Sequence, residues 1–180
     1  SEPGWPDAPG GRERELWVRH TRGVYEILRQ IRIKHPGVIF ESCSGGGGRV
    51  DLGVMPYIEQ FWVSDNTDPY DDLFIEEGFT LAYAPLTRMM WVTDPIHINN
   101  RSTSLDYRFH VAMMGALGIG ADLTKWSDAD LEKSAAMIVQ YKAIREMVQF
   151  GRLYRLRSPR ESAIAAFEFV HPQGHEAVVF

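Results

Sequence analysis

The sequence predicts an α/β fold: part of a barrel of strands and helices, followed by the first strands of an antiparallel β domain. Three observations carry this reading. Short, wholly apolar runs at 38–40 and 61–63 alternate with helical patterns along most of the chain, as in a parallel sheet covered on both faces. Both runs end in polar or backbone-permissive clusters, Glu41-Ser42-Cys43 with four glycines from Gly45 to Gly48, and Ser64-Asp65-Asn66-Thr67-Asp68. Enzymes of this class gather their active sites at such strand ends. Beyond Leu156 two strand-like runs, 163–170 and 176–180, flank His171-Pro172-Gln173-Gly174, a hairpin signal.

The elements follow in order. Residues 1–11 form a loop punctuated by Pro and Gly, with Trp5 exposed either as a loop anchor or as a platform near a sugar. A helix is expected over 12–34, with Trp17, Val24, Leu28 and Ile31 on one stripe and Pro36-Gly37 as its stop. The run at 38–40 is expected to be a fully buried strand. After a connector at 51–58, the strand at 61–63 leads to Asp68-Pro69, an N-cap followed by proline at the first helical position. Asp71, Asp72, Glu76 and Glu77 are expected to form a mostly solvated helix face, closed by Gly78. Residues 80–83 and 89–92 read as strands, 105–114 as a helix and 116–121 as a buried strand. Ser127 with Asp130 three residues on is a capping-box variant opening the best helix of the chain, 127–150, with Gly151 as its C′ residue.

The composition narrows the function classes. The chain has 180 residues, enough for one domain with a sizeable core, and a net charge of -5 offers no basic surplus for nucleic acid. No uncharged run approaches the ~18 residues of a membrane span, and the polar N-terminus is unlike a signal peptide. The single cysteine, Cys43, excludes an internal disulfide framework. A cytoplasmic, cofactor-free protein is expected. Ser1 as first residue and the apolar end Ala177-Val178-Val179-Phe180 suggest part of a longer protein.

The glycine run lacks the Gly-Lys-Ser/Thr ending of a P-loop and the context of a dinucleotide fingerprint. Four glycines do allow a backbone to approach a small neutral ligand and to adopt positive φ; a tight structural turn is the plainer alternative. Asp65, just past a strand end, is the candidate acid, with Trp62 nearby to desolvate it. A helix-capping turn is the rival reading of the same residues. The six histidines show no metal-ligand spacing, although His97 follows a strand and could reach a substrate. Cys43 has no histidine partner, which argues against a thiol nucleophile; its strand-end position suits a pocket wall.

The segments FESCSGGGGRVDLG and FWVSDNTD, with HVAMMGALGIGADLTKWSDADL and YRLRSP, closely resemble the retaining α-galactosidases of glycoside hydrolase family 36. The resemblance covers essentially the whole chain. It implies the second half of a (β/α)8 TIM barrel over 1–151 and the start of a C-terminal β domain over 152–180. It implies Asp65 as the acid/base carboxyl and Cys43, Gly45 and Gly46 as contacts of the galactose ring, with no metal. The partner implied is an α-galactoside oligosaccharide of the raffinose or melibiose kind, and the full-length enzyme is expected to be a homo-oligomer. The family's nucleophile, the Asp of a Lys-Trp-Asp strand end, has no counterpart here. Lys125-Trp126 is followed by Ser127, and Asp7 lies in a Pro/Gly loop. Retaining hydrolysis needs two carboxyl groups about 5–5.5 Å apart, so the nucleophile is expected upstream and the chain alone is expected to be inactive. Residues 89–101 depart from the familiar members. A transglycosylase and a non-catalytic sugar-binding remnant are the alternatives.

Overall fold

The structure, a computed structural model, describes residues 4–6, 9–97 and 99–180. The chain divides into two compact units, Ser1–Glu41 with Val50–Glu59, and Ser42–Arg49 with Gln60–Phe180.

In the first unit, helix α1 spans Leu16–Lys34 and ends where the His35 N–H closes on the Ile31 carbonyl. Val24, Leu28 and Ile31 are half-buried, whereas Trp17 is 55% exposed and no residue of α1 is fully buried. The connector is fixed by polar contacts. Asp51 accepts from the Tyr25 hydroxyl at 2.5 Å and from the Gly53 and Val54 N–H groups. Glu59 pairs with Arg32 at 2.5 Å and accepts from the Phe40 N–H at 2.9 Å. Contrary to expectation, 38–40 is not a buried strand. Val38 and Ile39 are 48% and 73% exposed, and strand β1 is only Glu41–Ser42. These side chains thus lack the cover on both faces that a strand inside a layered sheet has.

In the second unit the Trp62 N–H donates to the Ser42 carbonyl at 2.9 Å, extending the pairing of β2, Gln60–Phe61. Phe61 forms a parallel bridge with Arg88. Strand β3, Met89–Val92, runs parallel to β4, Ala116–Ile119, in the register Met89↔Ala116 to Val92↔Ile119. Helix α2, Pro69–Thr80, links β2 to β3, and α3, Leu105–Ala112, links β3 to β4. Asp68 caps α2 and Ser104 caps α3 with their side chains. Helix α2 continues past Gly78, because nothing there breaks its ladder. Residues 80–83, expected as a strand, instead form its end: the Ala82 and Tyr83 N–H groups both donate to the Phe79 carbonyl, leaving those donors spent on a turn.

Helix α4, Asp128–Phe150, is capped by Ser127 accepting from the Asp130 N–H. Its Tyr141 hydroxyl donates to the Gly115 carbonyl at 2.7 Å and accepts from the Leu117 N–H, pinning the helix to the start of β4. Gly151 ends α4 at φ −77°, outside the left-handed region. Glycine is needed there for space: a Cβ would lie 2.1 Å from the Met147 carbonyl oxygen and 2.4 Å from that of Val170. Strands β5 (Arg152–Arg157), β6 (Ala166–Val170) and β7 (Ala177–Val179) form an antiparallel sheet. Phe167 and Phe169 of β6 join Met90, Val92, Phe109 and Val148 in one continuous core.

The acidic face of α2 is the largest departure from the sequence reading. Glu76 is fully buried and Glu77 nearly so. Arg88 is 1% exposed and donates to Glu76 Oε2 at 2.5 Å and to Asp72. Asp71 and, to a lesser degree, Asp72 stay partly at the surface. The cation that draws these carboxylates inward lies at the entry to β3, a position that helix periodicity does not reveal.

Among the described residues no helix is long and apolar enough to cross a membrane, and no group of three His, Cys, Asp or Glu side chains could hold a metal ion.

Candidate active site

The site is built where the loop after β1 meets the segment after β2. Ser42 is buried and its hydroxyl donates to the Arg49 carbonyl at 3.0 Å, closing the loop; within it the Gly48 N–H donates to the Ser44 carbonyl at 2.9 Å. Gly45, Gly46 and Gly47 have φ of 55°, 67° and 98°, a region side chains adopt at a cost. Two of the three are also forced by contact. A Cβ on Gly46 would lie 2.6 Å from the Asp65 N atom and 3.2 Å from its Cγ, and one on Gly47 would lie 2.4 Å from the Val63 carbonyl oxygen. Around Gly45 there is open space. The glycine run therefore packs its backbone flat against the Asp65 segment and leaves one glycine facing outward. Cys43 is free and exposed beside it.

Asp65 is exposed. Trp62 was expected to desolvate it; instead the indole Nε1–H donates to Asp65 Oδ1 at 2.8 Å. The Trp62 ring meets Trp91 of β3 edge to face, with centroids 5.6 Å apart. So the structure brings Asp65, Gly46 and Trp62 together, keeps Gly45 and Cys43 open on the same loop, and holds one oxygen of an exposed Asp65.

A polar web then fixes the far end of the segment. Asp68 is fully buried. Its Oδ1 accepts from the Tyr70 and Asp71 N–H groups at 2.9 and 3.0 Å and from Arg101, so it caps the helix and anchors Arg101. Asn66 donates to Asp71 at 2.8 Å and accepts from the Asp68 N–H. Asn66, with Arg101 and Asn99, holds the Asp71 carboxyl below the usual carboxylate range against the opposing effect of burial. Arg101 also lies over the Tyr70 ring at 4.6 Å.

His97 is buried. It is 5% exposed, its Nε2 sits 3.0 Å from the Thr103 hydroxyl, and burial pushes its pKa down, favouring the neutral ring. Asp7 lies outside the described residues. The sequence reading missed the donor role of Trp62 and the Arg101 anchor. The first had a signal, since an indole three residues before a carboxylate at a strand end can curl back onto it. The second had none, because 33 residues separate Arg101 from Asp68. Chemically, the arrangement offers one exposed carboxyl group with a fixed inner oxygen, beside a backbone floor without side chains. Such a site can exchange a proton with a bound neutral ligand.

Comparison with known proteins assigns the chain to a family. The Melibiase family model matches residues 1–151. "Alpha-galactosidase 1" of Pediococcus pentosaceus is 44% identical over 172 residues, 95% of this chain and 24% of that protein. "Alpha-galactosidase AgaA" of Geobacillus stearothermophilus is 41% identical over 173 residues, 95% of this chain and 24% of that protein. The chain thus spans about a quarter of the length of these curated relatives. A crystal structure of a variant of the glycoside hydrolase family 36 α-galactosidase AgaA from Geobacillus stearothermophilus, in complex with raffinose, superposes with a TM-score of 0.94 at 38% identity, covering 99% of this chain and 25% of that one. With the Melibiase model matched over residues 1–151 and its structural likeness lying with family 36 α-galactosidases, the chain belongs to the Melibiase family.

Proposed function

We propose that this chain is the acid/base half of a retaining α-galactosidase that releases terminal α-linked galactose from oligosaccharides of the raffinose kind. Residues 1–151 are then the second half of a (β/α)8 barrel, and 152–180 open a C-terminal β domain. The parallel pairing of β3 with β4, each strand joined to the next by a helix, supports the first assignment. The antiparallel β5–β6–β7 sheet supports the second. The observation that carries the function is the exposed Asp65 carboxyl against the side-chain-free backbone of Gly46. In this reading Gly45, Gly46 and Cys43 line the galactose ring.

Asp65 first acts as an acid. It gives its proton to the glycosidic oxygen while the anomeric carbon leaves that oxygen and bonds to the nucleophile carboxylate, supplied by sequence upstream. Asp65, now ionised, takes a proton from water as the water oxygen attacks the anomeric carbon and the nucleophile departs with its electron pair. Such proton transfer contributes about 10²–10⁴-fold in rate. In the full-length enzyme, Asp65→Ala should lower turnover of raffinose by a factor in that range. Turnover equal to the wild type would remove Asp65 from the mechanism and favour the sugar-binding remnant.

A further inference from the structure

We propose that Trp62 is a positioning residue for Asp65: its indole N–H holds one carboxyl oxygen, so that the transferable proton resides on the other. The proposal rests on the acid/base reading of Asp65.

An indole N–H donates and cannot accept. In the 2.8 Å contact from Trp62 Nε1 to Asp65 Oδ1, Oδ1 must therefore be the acceptor in every protonation state of the carboxyl group. When Asp65 is protonated the hydrogen is favoured on Oδ2, because the unprotonated carbonyl oxygen is the stronger acceptor for the indole N–H. When it is ionised, Oδ2 is the oxygen left to take a proton from water. One oxygen is held and its twin does both transfers, so the carboxyl group need not turn over between the two steps.

The holding group is itself well held. The Trp62 ring stands edge-on to Trp91 at 76°, with centroids 5.6 Å apart. Trp91, paired with Gly118 across the β3–β4 ladder, lies against two glycines of that neighbouring segment. A Cβ on Gly120 would come 2.6 Å from Trp91 Cε3, and one on Gly118 3.4 Å from it. The two glycines leave the room that Trp91 fills, Trp91 sets the Trp62 ring, and Trp62 sets the carboxyl. Gly46 also runs close beside Asp65, since a Cβ on it would lie 2.6 Å from the Asp65 N and 3.2 Å from its Cγ. An exposed aspartate would otherwise rotate freely about its last bond.

The test separates leaving groups. Trp62→Phe keeps an aromatic ring against Trp91 and removes the N–H. In the full-length enzyme, raffinose expels a sugar hydroxyl that needs a proton, whereas dinitrophenyl α-galactoside expels a phenolate that does not. The expected result is a fall of about tenfold or more in kcat/KM for raffinose, as for a displaced catalytic group, with a change within about twofold for the dinitrophenyl substrate. Both rates come from one preparation, so a loss of folded enzyme cancels in their ratio. Trp62→His, whose ring N–H restores a donor, should recover part of the raffinose rate. Equal falls on both substrates, or no change in the ratio, would overturn the proposal. Asp65→Asn is measured alongside. If it shows the same asymmetry more strongly, the acid/base reading stands and Trp62 is judged on its own result. If it shows none, the reading of Asp65 fails and takes the proposal with it.

Discussion

Arg88 donates to Glu76 Oε2 at 2.5 Å with both side chains shut away from solvent, and the same guanidinium also serves Asp72. Arg88 alone bonds both carboxylates, and Arg155 adds a weaker attraction on Glu76, so burial of Glu76 is only partly offset. Burial accordingly pushes Glu76 up to about 7, more than Arg88 pulls it down.

The sign of the pH effect follows from that shift. Glu76 binds its proton more tightly in the folded chain than in the unfolded one, whose value is 4.5. Its contribution is therefore complete below about pH 4.5 and is lost as the pH rises to about 7. The size is on the order of 3 kcal/mol. Glu76→Gln should flatten this decline, as read from urea midpoints at pH 5 and pH 7. A decline unchanged in the variant would contradict the assignment.

Removing the cation is the harsher change. Arg88→Met leaves Asp72 and Glu76 buried without a partner and should cost about 3–5 kcal/mol, measured by thermal unfolding at neutral pH.

This cluster also marks where the sequence was silent. Asp72 and Glu76 read as solvated because charge on a helix is usually solvated, and nothing local says that Arg88, 12 residues on from Glu76, turns inward to meet them. Local chemistry was legible: Asp68-Pro69 and Ser127 cap their helices as expected, since the cap bond lies within three residues. The strand at 89–92 is legible from its apolar run; the buried strand expected at 116–121 is shorter, 116–119, and only half-buried. The exposed Val38 and Ile39 were misread because apolar character records what a side chain needs, not what this chain supplies. At the candidate site, the two strand ends that carry Gly46 and Asp65 are legible as polar clusters after apolar runs, whereas the hydrogen bond from Trp62 is not.

The glycines make sharply different predictions. Gly46→Ala and Gly47→Ala combine positive φ with a Cβ inside contact distance of fixed backbone, and each should cost more than the about 1–2 kcal/mol of the left-handed conformation alone. Gly45→Ala meets open space and should cost only that term. Equal melting temperatures for the three variants would refute the packing account.

Gly78 and Gly151 form a second contrast. Gly78 sits inside α2 with its nearest neighbour 4.0 Å from a Cβ, so Gly78→Ala should stabilise by about 0.5–1 kcal/mol. Gly151→Ala meets two carbonyl oxygens at 2.1 and 2.4 Å and should destabilise by about 1–3 kcal/mol, as overpacking does. Differential scanning calorimetry would show shifts of opposite sign.

The role of Asp65 is tested most directly by chemical rescue. When Asp65→Ala in the full-length enzyme is given azide with dinitrophenyl α-galactoside, azide can attack the galactosyl-enzyme without base assistance. An acid/base role predicts faster turnover with formation of α-galactosyl azide, the retained anomer. No acceleration, or formation of the β anomer, which would make Asp65 the nucleophile, would contradict it.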